Sequence, residues 1–229
     1  MIHLKLLKTR ILIALLLFLS VWLTYQYMES MLLQPSAEKH KLPKLSGNKK
    51  VLVSVFYECL CPDSKSFIHN HLLPAFEKAP HLIQLHLIPY GKAETRMTSS
   101  GSYEFECQHG SSECFGNKVH ACVIDKVADE MRSLRLVSCL MEDHGDIEGA
   151  GTECAEKFGV DWAPILECAK GKEGSDLLKE HGDSTNSLSP KIAFVPTILL
   201  NHKRDGQPAI LKNLWKEICR VLPEVPECQ

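Results

Sequence analysis

The apolar positions of this chain change period several times, and each change predicts a different element. Residues 11–25 (ILIALLLFLSVWLTY) are apolar on every side and carry no charge. They follow Lys5, Lys8 and Arg10, with no acid in 1–10. A basic segment before an apolar one is the pattern of a secretory signal. No clean small-x-small cleavage site follows, and the uncharged stretch from 11 to Met28 is near the lower limit for a membrane span. Residues 1–28 therefore read either as a cleaved signal peptide or as an uncleaved signal anchor. Both readings place the body on the lumenal side, because the basic residues precede the apolar run.

Residues 29–50 are polar and Lys-rich, with Pro35 and Pro43, and read as a linker. VLVSVFY over 51–57 is rich in β-branched and aromatic residues and reads as a buried strand. Pro62 opens a helical stretch in which Phe67, Ile68, Leu72, Leu73 and Phe76 share a face, with a kink expected at Pro74. HLIQLHLIPY over 81–90 alternates from Leu82 to Leu87, a second strand. Strand, helix and strand within 51–90 make a βαβ unit with parallel strands. From about 107 to 182, helical patterns such as HACVIDKVADEMRSLRLVSCLME dominate, with few strand signals. IAFVPTILLN over 192–201 reads as a strand, and Pro196 within it implies an edge, a bulge or a special turn. Asp205-Gly206 is a hairpin signal, and LKNLWKEICRVL over 211–222 reads as a closing amphipathic helix.

Composition narrows the class. The formal net charge is -2 over 229 residues, and no basic patch stands out, which argues against a nucleic-acid partner. The 10 cysteines are too many for an ordinary cytosolic chain of this size. With the N-terminal signal they place the body in an oxidising compartment, where disulfides persist.

Cys61 is the centre of the candidate chemistry. It falls where the first strand gives way to the helix, and Pro62 suits the first helical position. A cysteine at a helix N-terminus faces free N–H groups and the positive end of the dipole, which favour the attacking thiolate. Asp63 in the first turn works partly against this. A two-cysteine redox site would carry its second thiol at position 64, where this chain has Ser64. A hydroxyl can hydrogen-bond a thiolate but cannot resolve a mixed disulfide. Release then falls to an outside thiol or to Cys59. Residues two apart on a strand share a face, at a Cα separation of roughly 6.5 Å, near the upper limit for a disulfide.

The stretch from Cys107 to Cys122 is the most distinctive in the chain. A zinc site drawn from Cys107, Cys114, Cys122, His109 or His120 fits no short C-x2-C spacing, and an oxidising lumen opposes free thiolates, so no metal is expected. Disulfide use is the better reading.

Here the sequence resembles a known family. Cys107, Gln108, His109, Gly110, Glu113, Cys114, Asn117 and Cys122 match every position of C-Q-H-G-x2-E-C-x2-N-x4-C, the signature of the gamma-interferon-inducible lysosomal thiol reductase family. The resemblance runs from about Val51 to Cys228: VSVFYECLCPDS is similar to the family's active-site strand and FVPTILLN to its cis-proline strand. It implies an α/β, thioredoxin-like fold over 51–229 with a disulfide-rich helical insertion at about 107–182. It also implies a thiol-disulfide oxidoreductase that reduces disulfide-bonded protein substrates in an acidic compartment. By analogy with thioredoxin-like proteins, the Val195–Pro196 bond is expected to be cis and to face Cys61. No cofactor is implied beyond an external small thiol as reductant, and membrane contact would come only through an N-terminal anchor.

Family reductases carry C-x-x-C, so Ser64 makes this chain resemble a divergent, invertebrate-like branch, and the alternative is a thioredoxin-like binding protein without turnover. Family members reach lysosomes by a glycan-dependent route, yet the chain has no N-x-Ser/Thr sequon, which leaves lysosomal and extracellular destinations open. Gln108, His109 and Glu113 are catalytic in residue type but read more simply as a hydrogen-bonded turn held by disulfides. Cys139, Cys154, Cys168, Cys219 and Cys228 read as structural disulfide partners, with Cys219–Cys228 the most local pair.

Overall fold

The computed structural model describes residues 17–24, 26, 50–142 and 146–229. The chain divides into two units, 1–47 and 48–229. In the first, 17–24 is a helix whose Leu17, Phe18 and Trp22 side chains are exposed. The rest of the expected signal or anchor, and the expected linker up to 49, lie outside the described residues. Among the described residues no helix is long and apolar enough to cross a membrane.

In the second unit β1 (Val51–Tyr57) is the middle strand of three. It pairs in parallel with β2 (Ile83–Pro89), from Val51 opposite Ile83 to Tyr57 opposite Pro89. On its other side it pairs antiparallel with β5 (Thr197–Leu200), from Val53 opposite Leu200 to Phe56 opposite Thr197. A central strand is buried on both faces, which is why VLVSVFY is almost continuously apolar. Val51, Val53, Val55 and Tyr57 enter the main core with Phe67, Ile68, Leu72 and Phe76, while Phe56 packs on the opposite side with Ile88 and Leu199.

The helix after β1 runs as α1 (Pro62–Phe67), a π-helical segment (Ile68–Leu72) and α2 (Leu73–Lys78). Pro74 has no N–H for the carbonyl four residues back, and the wider π turns immediately precede it. A hairpin of β3 (Glu94–Met97) and β4 (Tyr103–Glu106) follows β2. Its half-exposed strands carry Glu94, Arg96, Glu104 and Glu106, so they lack the apolar alternation that would have announced them.

The insertion comprises α3 (Ser111–Lys126), α4 (Glu130–Leu140), α5 (Ile147–Phe158), α6 (Trp162–Lys170) and α7 (Lys172–Asn186), ending somewhat beyond the expected 182. Asp129, Asp146 and Asp161 cap α4, α5 and α6 by accepting first-turn N–H groups. Disulfides join Cys107 to Cys114, Cys122 to Cys168, Cys139 to Cys154 and Cys219 to Cys228. The Cys122–Cys168 bond spans 46 residues, so closing that loop is worth about 4 kcal/mol on the chain-entropy account.

Three expectations near the C-terminus change. The strand expected over 192–201 shrinks to Thr197–Leu200, because Pro196 has no N–H for a ladder and the chain before it turns. Asp205-Gly206 makes no hairpin: Gly206, at φ 74°, leads into α8 (Gln207–Lys212) instead. The helix expected over 211–222 breaks at Asn213, whose side chain accepts the Lys216 N–H and starts α9 (Leu214–Val221). Gln207 then completes the edge of β5, accepting the Ile198 N–H at 2.9 Å and donating to the Ile198 carbonyl.

Candidate active site

Cys61 is the N-cap of α1, with extended backbone angles and Pro62 as the first helical residue. Its N–H donates to the Glu58 carbonyl at 3.3 Å and its own carbonyl accepts from Lys65 N at 3.0 Å. The Val195–Pro196 peptide is cis, and the Val195 carbonyl lies 3.8 Å from Cys61 Sγ. Strand β1, helix α1 and the turn before β5 thus meet at one sulfur.

Ser64 is fully buried beneath this turn. Its hydroxyl accepts the Glu58 N–H at 3.5 Å, so it braces the loop.

Cys59 does not share a strand face with Cys61. The ladder stops at Tyr57, and Cys59 lies in the turn closed by the Cys61 N–H on the Glu58 carbonyl. Both cysteines are free thiols. Cys59 is buried against α3, its N–H held by Asn117 Oδ1 at 2.9 Å and its Sγ 3.5 Å from the Glu113 carbonyl. Burial, with the Glu113 charge adding to it, pushes its thiol well above the ordinary range.

The signature folds around this loop. Cys107–Cys114 closes the turn that carries Gln108, His109 and Gly110. His109 Nδ1 meets Glu113 Oε2 at 2.5 Å and lies 3.7 Å from Glu58 Oε2. With Cys107 bonded to Cys114 and Cys122 to Cys168, the cysteine zinc site considered from sequence has no free thiolates. His120 accepts or shares a hydrogen bond with Tyr57 OH at 3.0 Å, and burial drives the imidazole down to about 3. Cys139–Cys154 and Cys219–Cys228 lie in other parts of the fold.

Glu58 was missed from the sequence. Its carboxyl is wholly buried, and that burial raises it above the usual carboxylate range. The available signal was an acid directly after a strand buried on both faces, where a charge needs a partner.

This fold and a thiol on the N-cap residue of a helix, beside a cis-proline turn, define a thioredoxin-like protein of the thiol-disulfide oxidoreductase class. The family model described as gamma interferon inducible lysosomal thiol reductase (GILT) matches residues 52–158. A gamma-interferon-inducible lysosomal thiol reductase-like protein of Anopheles gambiae is 38% identical, over 80% of this chain and 81% of that protein. The gamma-interferon-inducible lysosomal thiol reductase of Mus musculus is 36% identical, over 74% of this chain and 68% of that protein. The chain belongs to the gamma-interferon-inducible lysosomal thiol reductase family. Among solved structures, Chlamydia trachomatis DsbA superposes with a TM-score of 0.53 at 14% identity, covering 78% of this chain and 88% of that one. The reduced form of the oxidoreductase DsbG from Mycobacterium tuberculosis gives 0.52 at 18% identity, covering 78% and 81%. These two likenesses concern the fold.

Proposed function

We propose that this protein reduces disulfides of protein substrates through Cys61 alone, with an external small thiol completing the cycle. The observation that carries the reading is the placement of Cys61 Sγ at the N-cap of α1 and beside the Val195 carbonyl, with a buried Ser64 where a second thiol would stand. The Cys61 thiolate attacks one sulfur of the substrate disulfide, forming a mixed disulfide and expelling one substrate thiolate. A small thiolate then attacks the Cys61 sulfur, and the second substrate thiol leaves. A second small thiol frees Cys61 as an oxidised small-molecule disulfide departs. Two electrons thus pass from two small thiols to one substrate disulfide, without a cofactor. Cys59 is buried against α3 with its thiol pushed up, so this reading gives the resolving role to the external thiol.

We place the protein in a C-x-x-S branch of the family. Residues 1–28 act as signal or anchor, 29–50 as a linker, and the workplace is an acidic lumen or the extracellular side. The lysosomal names of the relatives and the basic-then-apolar N-terminus support that reading.

The test is reduction of insulin disulfides with added glutathione, from acid to neutral pH. Wild type turns over, Cys61→Ala does not, and Ser64→Cys is faster and depends less on added thiol. Silence from both wild type and Ser64→Cys would sink the reading. The missing second thiol favours one alternative, a binding protein that traps clients as lasting mixed disulfides. Non-reducing gels would then show Cys61 adducts that glutathione fails to discharge.

A further inference from the structure

The side chains of Glu58, His109 and Glu113 converge although they come from three different places: the turn after β1, the loop before α3 and the first turn of α3. One donor atom from each lies within 4.8 Å of the others. The Glu113 carboxylate is fully buried, that of Glu58 is 1% exposed, and His109 is 37% exposed, which leaves one open side.

The two acids are oriented alike. Glu58 Oε1 accepts the Lys92 N–H at 2.8 Å, and Glu113 Oε1 accepts the His109 N–H at 3.1 Å. In each case a backbone N–H holds one oxygen and turns the other, Oε2, toward His109 Nδ1. Glu58 Oε2 is buried and accepts no hydrogen bond. Gly91, at φ 61°, leaves the room for this carboxylate, since a Cβ there would sit 2.2 Å from Glu58 Cγ.

Two buried carboxylates thus face a single imidazole, and buried like charges side by side are costly unless they are offset. A divalent cation offsets both. Ligands fixed through their far atoms by backbone groups are the usual support of a metal site. Tetrahedral donors around a zinc-sized ion stand roughly 3.4 Å apart. His109 Nδ1 stands 3.7 Å from Glu58 Oε2, near that spacing, while its 2.5 Å contact with Glu113 Oε2 is a hydrogen bond that a bound ion would replace and widen.

We infer that Glu58, His109 and Glu113 form a binding site for a first-row divalent cation, with water completing the coordination on the exposed side of His109. It uses no cysteine and is separate from the exchange chemistry of Cys61. Its place is structural: the Glu58 carbonyl receives the Cys61 N–H, so an ion here would tie the active loop to the signature turn.

The probes are Zn²⁺ and Co²⁺ added to the purified intact chain. One equivalent should bind and raise Tm, because an ion that binds only the folded state stabilises it. The cobalt complex should show visible d–d bands without a sulfur-to-cobalt charge-transfer band, and Cys61→Ala should bind equally well. Glu58→Gln and His109→Ala should each weaken binding at least about tenfold, the lower end of the loss for even a ligand-orienting group. His109 is partly exposed, so His109→Ala carries the test if Glu58→Gln fails to fold. Absence of binding, a thiolate band, or unchanged affinity in His109→Ala overturns the inference and leaves an ion-paired histidine between two acids.

Discussion

Asn117 Oδ1 accepts the Cys59 N–H at 2.9 Å, with both residues buried. Through this bond the signature asparagine, on α3, holds the loop that presents Cys61. Asn117→Ala leaves a buried N–H without a partner. We expect a loss of about 1–3 kcal/mol, the cost of an unsatisfied buried donor, with a lower urea midpoint at unchanged m-value. Reductase turnover should fall with it, since the loop loses its anchor.

Gly116 lies one residue before, and a Cβ on it would stand 2.5 Å from Cys59 Sγ. Gly116→Ala should destabilise by about 1–3 kcal/mol through overpacking. In Gly116→Ala with Cys59→Ala the 2.5 Å contact is gone, and the tightest neighbour left is Ile147 Cδ1, the end of a side chain, at 3.1 Å. The pair of substitutions should therefore cost less than their sum, which a double-mutant cycle of unfolding free energies reads directly. Additive costs would show that the sulfur is not the obstacle.

The two free thiols should differ in reactivity. Cys59 is enclosed by α3 and its thiol is pushed up by burial and by Glu113, so little thiolate forms. Under native conditions iodoacetamide should label Cys61, and Cys59 only after denaturant is added. Peptide mass spectrometry distinguishes them. Native labelling of Cys59 at the rate of Cys61 would contradict the burial described above.

His120 governs part of the pH response. Burial holds it down to about 3, below its ordinary value of about 6.5 in an unfolded chain. Between those values the unfolded state binds a proton that the folded state does not, so stability falls as pH drops from about 6.5 toward 3. One such group contributes up to about 1.4 kcal/mol per pH unit. His181, lowered to about 4 by burial and by His86, acts in the same direction. His120→Gln keeps a polar partner for Tyr57 but cannot be protonated. Its urea midpoint should vary less with pH than that of wild type across this window.

Much of the frame was legible because its signals are local. VLVSVFY had to be buried on both faces, Pro62 suited the first turn of a helix, and the period over 67–76 marked the face that packs on the sheet. The β3–β4 hairpin was not legible, since its strands are short, charged and half exposed. Asp205-Gly206 misled for a different reason. Its turn chemistry suits more than one continuation, and the Gln207 side chain supplies at β5 what a returning strand would have supplied.

By itself the sequence determined the thiol, its place between strand and helix, the serine in the second position and the family signature. These depend on residue identity and spacing within a few turns of chain. Only the tertiary structure decided what the signature residues touch. Glu58 and Glu113 stand 55 positions apart, and no periodicity relates them to each other. It took the packing of α3 beside the β1 turn, tied by Asn117, to bring both carboxylates to one imidazole and to seal Cys59 away. Cys61 was thereby left as the thiol beside the Val195 carbonyl.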